Sequence, residues 1–184
     1  MNLLASRGQL RASFVRWALL LVPAVLLAGF LSGQLAGSGP DNPWFASLVK
    51  PATYPPPATF GIVWSILYVM MGLAFALICS AWGARGRSFA IAAFLVQLAL
   101  NLAWSPVFFA AHQITGALVL SVLLVVAVIV TIALFWRIRP VAGALLLPYL
   151  AWLLFASLLN WQILQLNPQA DGAEVSGAVQ RIEL

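Results

Sequence analysis

The chain has 184 residues, of which 64% are hydrophobic and 7% are charged, and its mean hydropathy is +1.03. Soluble domains are about 45–50% apolar and about 25% charged, so this composition excludes a water-soluble globule, and its high hydropathy excludes a disordered chain. The single cysteine, Cys79, excludes a disulfide framework and a zinc site built on paired cysteines. The sequence therefore predicts a polytopic membrane protein with one domain.

Five long stretches without a charged residue are each long enough to cross the hydrocarbon core of a bilayer, which takes about 20 residues. Because backbone polar groups inside a bilayer must be paired within their own segment, each stretch predicts a helix. The predicted fold class is therefore all-α, a bundle of five transmembrane helices within residues 17–167. The predicted spans are Trp17–Ala36, Phe60–Trp82, Ser88–Ala111, Thr115–Trp136 and Val141–Leu166.

The basic residues divide unequally between the two ends of this bundle. Seven arginines fall at one end, and the opposite end carries Lys50, Arg181 and all four acidic residues. By the positive-inside rule, the N-terminal segment 1–16 is expected in the cytoplasm and the C-terminus outside. The net charge of +5 reflects this bias and does not indicate binding to nucleic acid. The arginines that share the predicted cytoplasmic end are Arg7, Arg11, Arg16, Arg85, Arg87, Arg137 and Arg139.

The connection between the first two spans, residues 37–59, is unusually rich in proline and aromatic residues. It holds six of the eleven prolines together with Trp44, Phe45 and Tyr54. Proline restricts φ and removes a hydrogen-bond donor, so a stiff and extended loop is expected. Such a loop fits a lid over a binding site, and it fits an interfacial belt of aromatic side chains equally well. Residues 168–184, after the last span, are polar and are expected to form a disordered tail.

The third predicted span carries three polar residues on one helical face. Gln97, Asn101 and Ser105 follow one another at intervals of four residues. Because polar groups are costly in hydrocarbon, this face is expected to point into the bundle or into a subunit interface. Pro106 follows directly and is expected to free a backbone carbonyl one turn earlier.

Aromatic and amide side chains on three spans could line a cavity with the composition of a ligand pocket. On the fifth span, Trp152, Ala156 and Asn160 share a face at intervals of four residues. The alternative is that the polar groups only join neighbouring helices by hydrogen bonds. The residues expected to line the cavity are Trp64, Tyr68, Asn101, Trp104, Trp152 and Asn160.

Small residues recur every four positions at Gly29, Gly33 and Gly37, which favours close helix packing within the bundle or in a homodimer. No span contains a carboxylate, and the only histidine, His112, falls in a short connection. The sequence therefore predicts no catalytic residue and no metal site.

Four blocks of sequence resemble the TspO/translocator protein family, also called tryptophan-rich sensory proteins or peripheral-type benzodiazepine receptors. The run Trp44–Pro51, followed by Pro55 and Pro56, matches the loop motif of that family. The other matching blocks are Trp64, Leu67, Tyr68 and Gly72 in the second span, Gln97–Phe109 in the third, and Pro148–Asn160 with Leu166 and Asn167 in the fifth.

This resemblance implies five helices with the first loop folded over a cavity that binds protoporphyrin IX, haem or similar apolar ligands, with no required cofactor. It also implies a role in transport, sensing or regulation in the membrane. Trp161 and Gln165 stand where animal members carry a sterol motif, so sterol binding is not predicted. The resemblance assigns the pocket to Phe45, Pro55, Trp64, Tyr68, Asn101, Ser105, Trp152, Ala156 and Asn160.

Two alternatives remain open at the level of sequence. The first is an enzyme that degrades porphyrins with a loop tryptophan, for which Trp44 is the candidate. The second is a membrane protein without a ligand, in which the polar face of the third span lies at a dimer interface.

Overall fold

A computed structural model of the chain describes residues 7–172, and within this range five helical segments are long and apolar enough to cross a membrane. No strand occurs among these residues. The predicted all-α class and the five spans are therefore confirmed, while the predictions for residues 1–6 and 173–184 lie outside the described range. The α-helices are α1 Arg7–Leu35, α2 Pro43–Ser47, α3 Pro57–Cys79, α4 Arg87–Ser105, α5 Ile114–Ile138, α6 Pro140–Leu145 and α7 Leu147–Leu166.

The third span changes its helical geometry where a proline interrupts it. After Ser105, the chain continues as a π-helical turn over Pro106–Ala110. Pro106 has no N–H to donate to the carbonyl of Leu102 one turn earlier. The hydroxyl of Ser32 on α1 donates to that carbonyl at 2.6 Å. The carbonyl that the sequence predicts to be freed is therefore satisfied by a neighbouring helix.

The fifth span, predicted over 141–166 with a bend at Pro148, is divided into two helices near its start. It consists of α6 and α7, and Leu146 between them has φ −91° and ψ −8°. Pro148 lies in the first turn of α7, where it cannot donate to the carbonyl of Ala144 and its ring crowds that carbonyl. The two helices together still form one membrane-spanning segment.

The helices surround a common core in the circular order α1, α3, α6 with α7, α5 and α4, and α4 closes the ring against α1. Glycines allow the close approach of α1 to α3. A Cβ atom at Gly72 would lie 2.6 Å from the Cα of Val22, and one at Gly29 would overlap the ring of Tyr68. Gly29 therefore serves packing within the bundle, which is one of the two interpretations of the glycine pattern.

The two ends of the bundle differ in chemistry. The start of α1 and the α3–α4 and α5–α6 connections form the arginine end, where Arg87 donates to the carbonyls of Ile78 at 3.2 Å and Cys79 at 2.7 Å and so caps α3. The opposite end, called the loop end, consists of the first loop (residues 36–56, including α2), the α4–α5 turn and the C-terminus of α7.

Candidate functional site

The first loop has a defined local structure built around the short helix α2. Asn42 caps the helix N-terminus, because its Oδ1 accepts from the backbone N–H of Phe45 at 2.9 Å. At the other end, the ammonium group of Lys50 donates to the carbonyls of Phe45, Ala46 and Leu48. Partial burial lowers the pKa of Lys50 below its ordinary value. The loop is therefore held in shape by its own side chains.

Side chains on α7 and just after it attach this loop to the bundle. The buried amide of Asn167 accepts from the N–H of Val49 at 2.8 Å and donates to the carbonyl of Val49 at 2.9 Å. Thr53 donates to Oε1 of Gln162 at 2.7 Å. The loop is therefore fixed to the C-terminal end of the last span.

The aromatic rings of the loop face the protein interior. Trp44 and Phe45 are both buried, and Trp44 stacks on the ring of His112 at 4.5 Å between centroids. Phe108, in the π-helical turn, contacts both loop rings edge-on and stacks on Trp104 at 4.9 Å. These rings form the loop cluster, which packs against Ile114, Ala117 and Ile163.

A chain of hydrogen bonds crosses the bundle core and joins three helices. Tyr68 on α3 donates to Oδ1 of Asn101 on α4 at 2.9 Å, and the amide of Asn101 donates to the Tyr149 hydroxyl on α7 at 3.0 Å. Tyr149 donates in turn to Oε1 of Gln97 at 3.1 Å. The Trp64 ring lies 5.3 Å from Tyr68 and 6.1 Å from Tyr149. The predicted polar face of the third span thus points into the bundle.

Aromatic contacts lead from the loop to α7 and to an apolar groove. Tyr54 stacks on Phe60 at 5.1 Å, and Phe60 meets Trp152 edge-on at 5.7 Å. Trp152 also lines a groove of about 490 Å³ between α3 and α7, a size typical of small-molecule sites. The other residues that line this groove are Val63, Ile66, Leu67, Met70, Pro148, Ala151 and Phe155.

Several polar side-chain atoms are buried without a partner among the described residues. They include Nε1 of Trp152 and both the nitrogen and the oxygen of the Asn160 amide. Leaving a buried polar group unpaired costs about 1–3 kcal/mol. The hydrogen-bonding capacity of Trp152 Nε1 and of the Asn160 amide is therefore unused among the described residues. Gln97 Nε2 and Trp44 Nε1 are also buried and unpaired.

The structure distributes the residues of the predicted site over two neighbouring groups. One is the loop cluster, and the other surrounds the hydrogen-bonded chain and the groove. Pro55 and Ser105 are half-buried at the loop end, and Ala156 is half-buried on α7 between Trp152 and the buried Asn160. The loop cluster holds Trp44, Phe45 and Trp104, and the second group holds Trp64, Tyr68, Asn101 and Trp152.

The predicted site omits four residues that build these two groups, although Tyr54 is named above among the aromatic residues of the loop. Tyr149 is fully buried and lies three residues before Trp152 and eleven before Asn160, a spacing that places it on the same face of a helix. That periodicity could have identified it. Tyr54, Phe60 and Phe108 join the site through contacts of the first loop, which helical spacing does not predict.

Comparison with known proteins gives consistent matches over most of the chain. A family model described as the TspO/MBR family matches residues 20–166. The chain is 40% identical over 144 residues to the tryptophan-rich protein TspO of Chlorobaculum tepidum, covering 78% of this chain and 90% of that protein. It is 39% identical to the translocator protein of Sus scrofa (83% and 89% covered) and 35% identical to protein CrtK of Rhodobacter capsulatus (68% and 79% covered).

Proposed function

Because the chain belongs to the TspO/MBR family of membrane proteins, we propose that it binds a tetrapyrrole or a similar flat apolar molecule within the membrane. Protoporphyrin IX and haem are the candidate ligands, and the role of binding is transport, sensing or regulation. The proposed site lies between α3, α4 and α7, with the first loop as its lid. We further propose that the arginine end faces the cytoplasm.

The observation that carries this proposal is the set of buried, unpaired polar atoms on α7. Trp152 and Asn160 lie two helical turns apart on one face, and their buried N–H groups have no partner among residues 7–172. An apolar macrocycle stacks on aromatic faces, while its polar edge can accept from such donors. Buried polar groups without a partner destabilise a helix bundle, because each loses its hydrogen bonds to water. A core that serves packing alone would therefore be more stable with apolar side chains at these positions.

Two features of the site suit a ligand that arrives from the lipid phase. The groove between α3 and α7 is lined by apolar side chains, and its residue Ile66 is 54% exposed. Trp152 belongs both to this groove and to the aromatic contacts that reach Phe60 and Tyr54 of the loop region. Trp152 therefore lies where the proposed lid adjoins the groove through which a ligand would enter from the lipid.

The proposal is tested by titrating the full chain in detergent with protoporphyrin IX while tryptophan fluorescence is recorded. Saturable quenching is expected. Asn160→Leu should weaken binding roughly two- to twelvefold, the loss of one net hydrogen bond. The same substitution should leave the thermal unfolding temperature unchanged or raised, because it removes an unpaired amide from the interior.

The matched control is Trp136→Phe, since Trp136 is 47% exposed on α5 and outside both groups. This variant should bind like the unmodified chain. Absence of saturable quenching, or equal affinity in Asn160→Leu and Trp136→Phe, would contradict the proposed site. Loss of the Soret absorption on illumination that disappears in Trp44→Phe would instead favour porphyrin breakdown.

A further inference from the structure

A second groove, at the arginine end, has the chemistry of a lipid headgroup site. It has a volume of about 350 Å³ and lies between the start of α1 and the α3–α4 connection, at the end of the bundle opposite the loop end. The residues that line it are Ser13, Arg16, Trp17, Leu20 and Trp82. We infer that this groove binds the headgroup of an anionic phospholipid.

The groove lies at the depth where headgroups meet the hydrocarbon. Arg16 directly precedes the uncharged part of the first span, and Trp82 follows three residues after the end of α3. Tryptophan concentrates at this level of a bilayer because its ring is apolar and its N–H is polar. The groove therefore offers apolar walls for the upper acyl chain and a cation at its rim.

The charge distribution selects an anion. The two acidic residues among the described ones, Asp41 and Asp171, both belong to the loop end, so at the arginine end of residues 7–172 no carboxylate neutralises the guanidinium groups. Arg16 makes a hydrogen bond through Nε to the carbonyl of Ala12 at 3.3 Å and is otherwise exposed. Its remaining N–H groups can donate to a phosphate in the fork geometry that arginine provides.

The wall formed by Trp82 is held in place although its ring is 68% exposed. The guanidinium of Arg87 lies over this ring at 4.4 Å, and Arg87 is itself fixed by the two carbonyls that end α3. Two of the five N–H groups of Arg87 are used in these bonds, and its positive charge remains close to the Trp82 ring. The groove itself therefore has one cation, Arg16, a hydroxyl from Ser13 and two indole rings, and Arg87 supports the Trp82 wall from beside it.

The test measures the preference of the full chain for phosphatidylglycerol over phosphatidylcholine in mixed micelles. The exposed Trp136 and Trp161 are first replaced by phenylalanine, so that quenching by brominated forms of each lipid reports mainly on Trp17 and Trp82 and gives the two relative binding constants. Phosphatidylglycerol should be preferred, and Arg16→Gln should reduce the preference about fivefold, since one arginine near an anionic lipid contributes about 1 kcal/mol. Arg16→Lys should retain most of the preference.

Arg139→Gln is the matched control, because Arg139 is exposed at the same end but outside the groove. An equal loss in Arg16→Gln and Arg139→Gln would overturn the inference in favour of diffuse charge. Trp82→Ala, which removes an exposed wall without opening the core, should also lower the preference, and an unchanged preference would contradict the site. Inorganic phosphate should not displace the lipid; displacement at equal affinity would mean that a free anion is the occupant.

Discussion

At the scale of single residues, Asn101 organises the core because an amide donates and accepts at once. It accepts a hydrogen bond from Tyr68 and donates one to Tyr149, and the Tyr149 hydroxyl donates to Gln97. Hydrogen bonds are directional, so these contacts fix the rotation of α3, α4 and α7 about their axes more strictly than apolar packing does. The hydrogen-bonded chain also places Trp64 against two tyrosine rings.

Removing Asn101 should therefore cost more than removing one of its partners. Asn101→Leu orphans the Tyr68 hydroxyl and should lower the free energy of unfolding by about 1–3 kcal/mol. Tyr68→Phe breaks one of the two hydrogen bonds of Asn101 and leaves only its Oδ1 without a donor, so the cost should lie at the lower end of that range, about 1 kcal/mol. Unfolding of both variants in detergent checks the ranking, with the half-exposed Leu95→Ala as control. Equal effects of the two substitutions would mean that Asn101 does not act as a junction.

At the scale of elements, the spacing of polar and proline residues predicts which side of a helix faces inward but not what it meets. The interval of four residues between Gln97 and Asn101 predicts their shared buried face, and Pro106 predicts a free carbonyl at Leu102. Ser32 can donate to this carbonyl only because α1 lies beside α4 in the assembled bundle, and the spacing of residues within one helix does not predict that arrangement. Pro148 predicts a bend in the fifth span, but the full division of the helix at Leu146 does not follow from the sequence, because Pro148 lies within an uninterrupted apolar stretch.

The close contact of α1 with α3 predicts that alanine lowers the stability of the protein at Gly72 and raises it at Gly61, although both glycines lie on α3. In Gly72→Ala the new methyl group meets the backbone of Val22 at 2.6 Å, so the helices must separate and stability should fall by about 1–3 kcal/mol. In Gly61→Ala the methyl group meets nothing within 4 Å, and the better helix propensity of alanine should raise stability by up to about 1 kcal/mol. Thermal unfolding of the two variants measures both changes, and a neutral Gly72→Ala would contradict the close approach.

At the scale of the whole molecule, hydropathy predicts the number of spans, because the cost of burying a charge in lipid is large compared with any local preference. The stretches without charge fall within the five observed segments to within a few residues, apart from α1, which begins at Arg7 rather than Trp17. The docking of the first loop could not be predicted in this way. It depends on Asn167 reaching Val49 and on Phe108 reaching two loop rings, and neither contact has a local periodicity.

The proposed orientation is tested by labelling single cysteines in intact cells with a maleimide that does not cross membranes. The buried native thiol is first removed as Cys79→Ala. With the arginine end in the cytoplasm, Ala52→Cys in the first loop should react from outside, whereas Ser88→Cys at the start of α4 should react only after permeabilisation. Both positions are exposed, so accessibility within the protein is matched. The reverse pattern would place the arginine end outside.

The attachment of the first loop by Asn167 also has a consequence for how the protein is made. Val49 and Asn167 are 118 residues apart, and a ribosome adds about 5–20 residues per second, so roughly 6–24 s of translation separate the two. During that interval the first loop has been synthesised, but Asn167, whose carboxamide binds Val49, has not. Closure of the loop is therefore a late step of biogenesis, completed only once the end of the final helix has been synthesised.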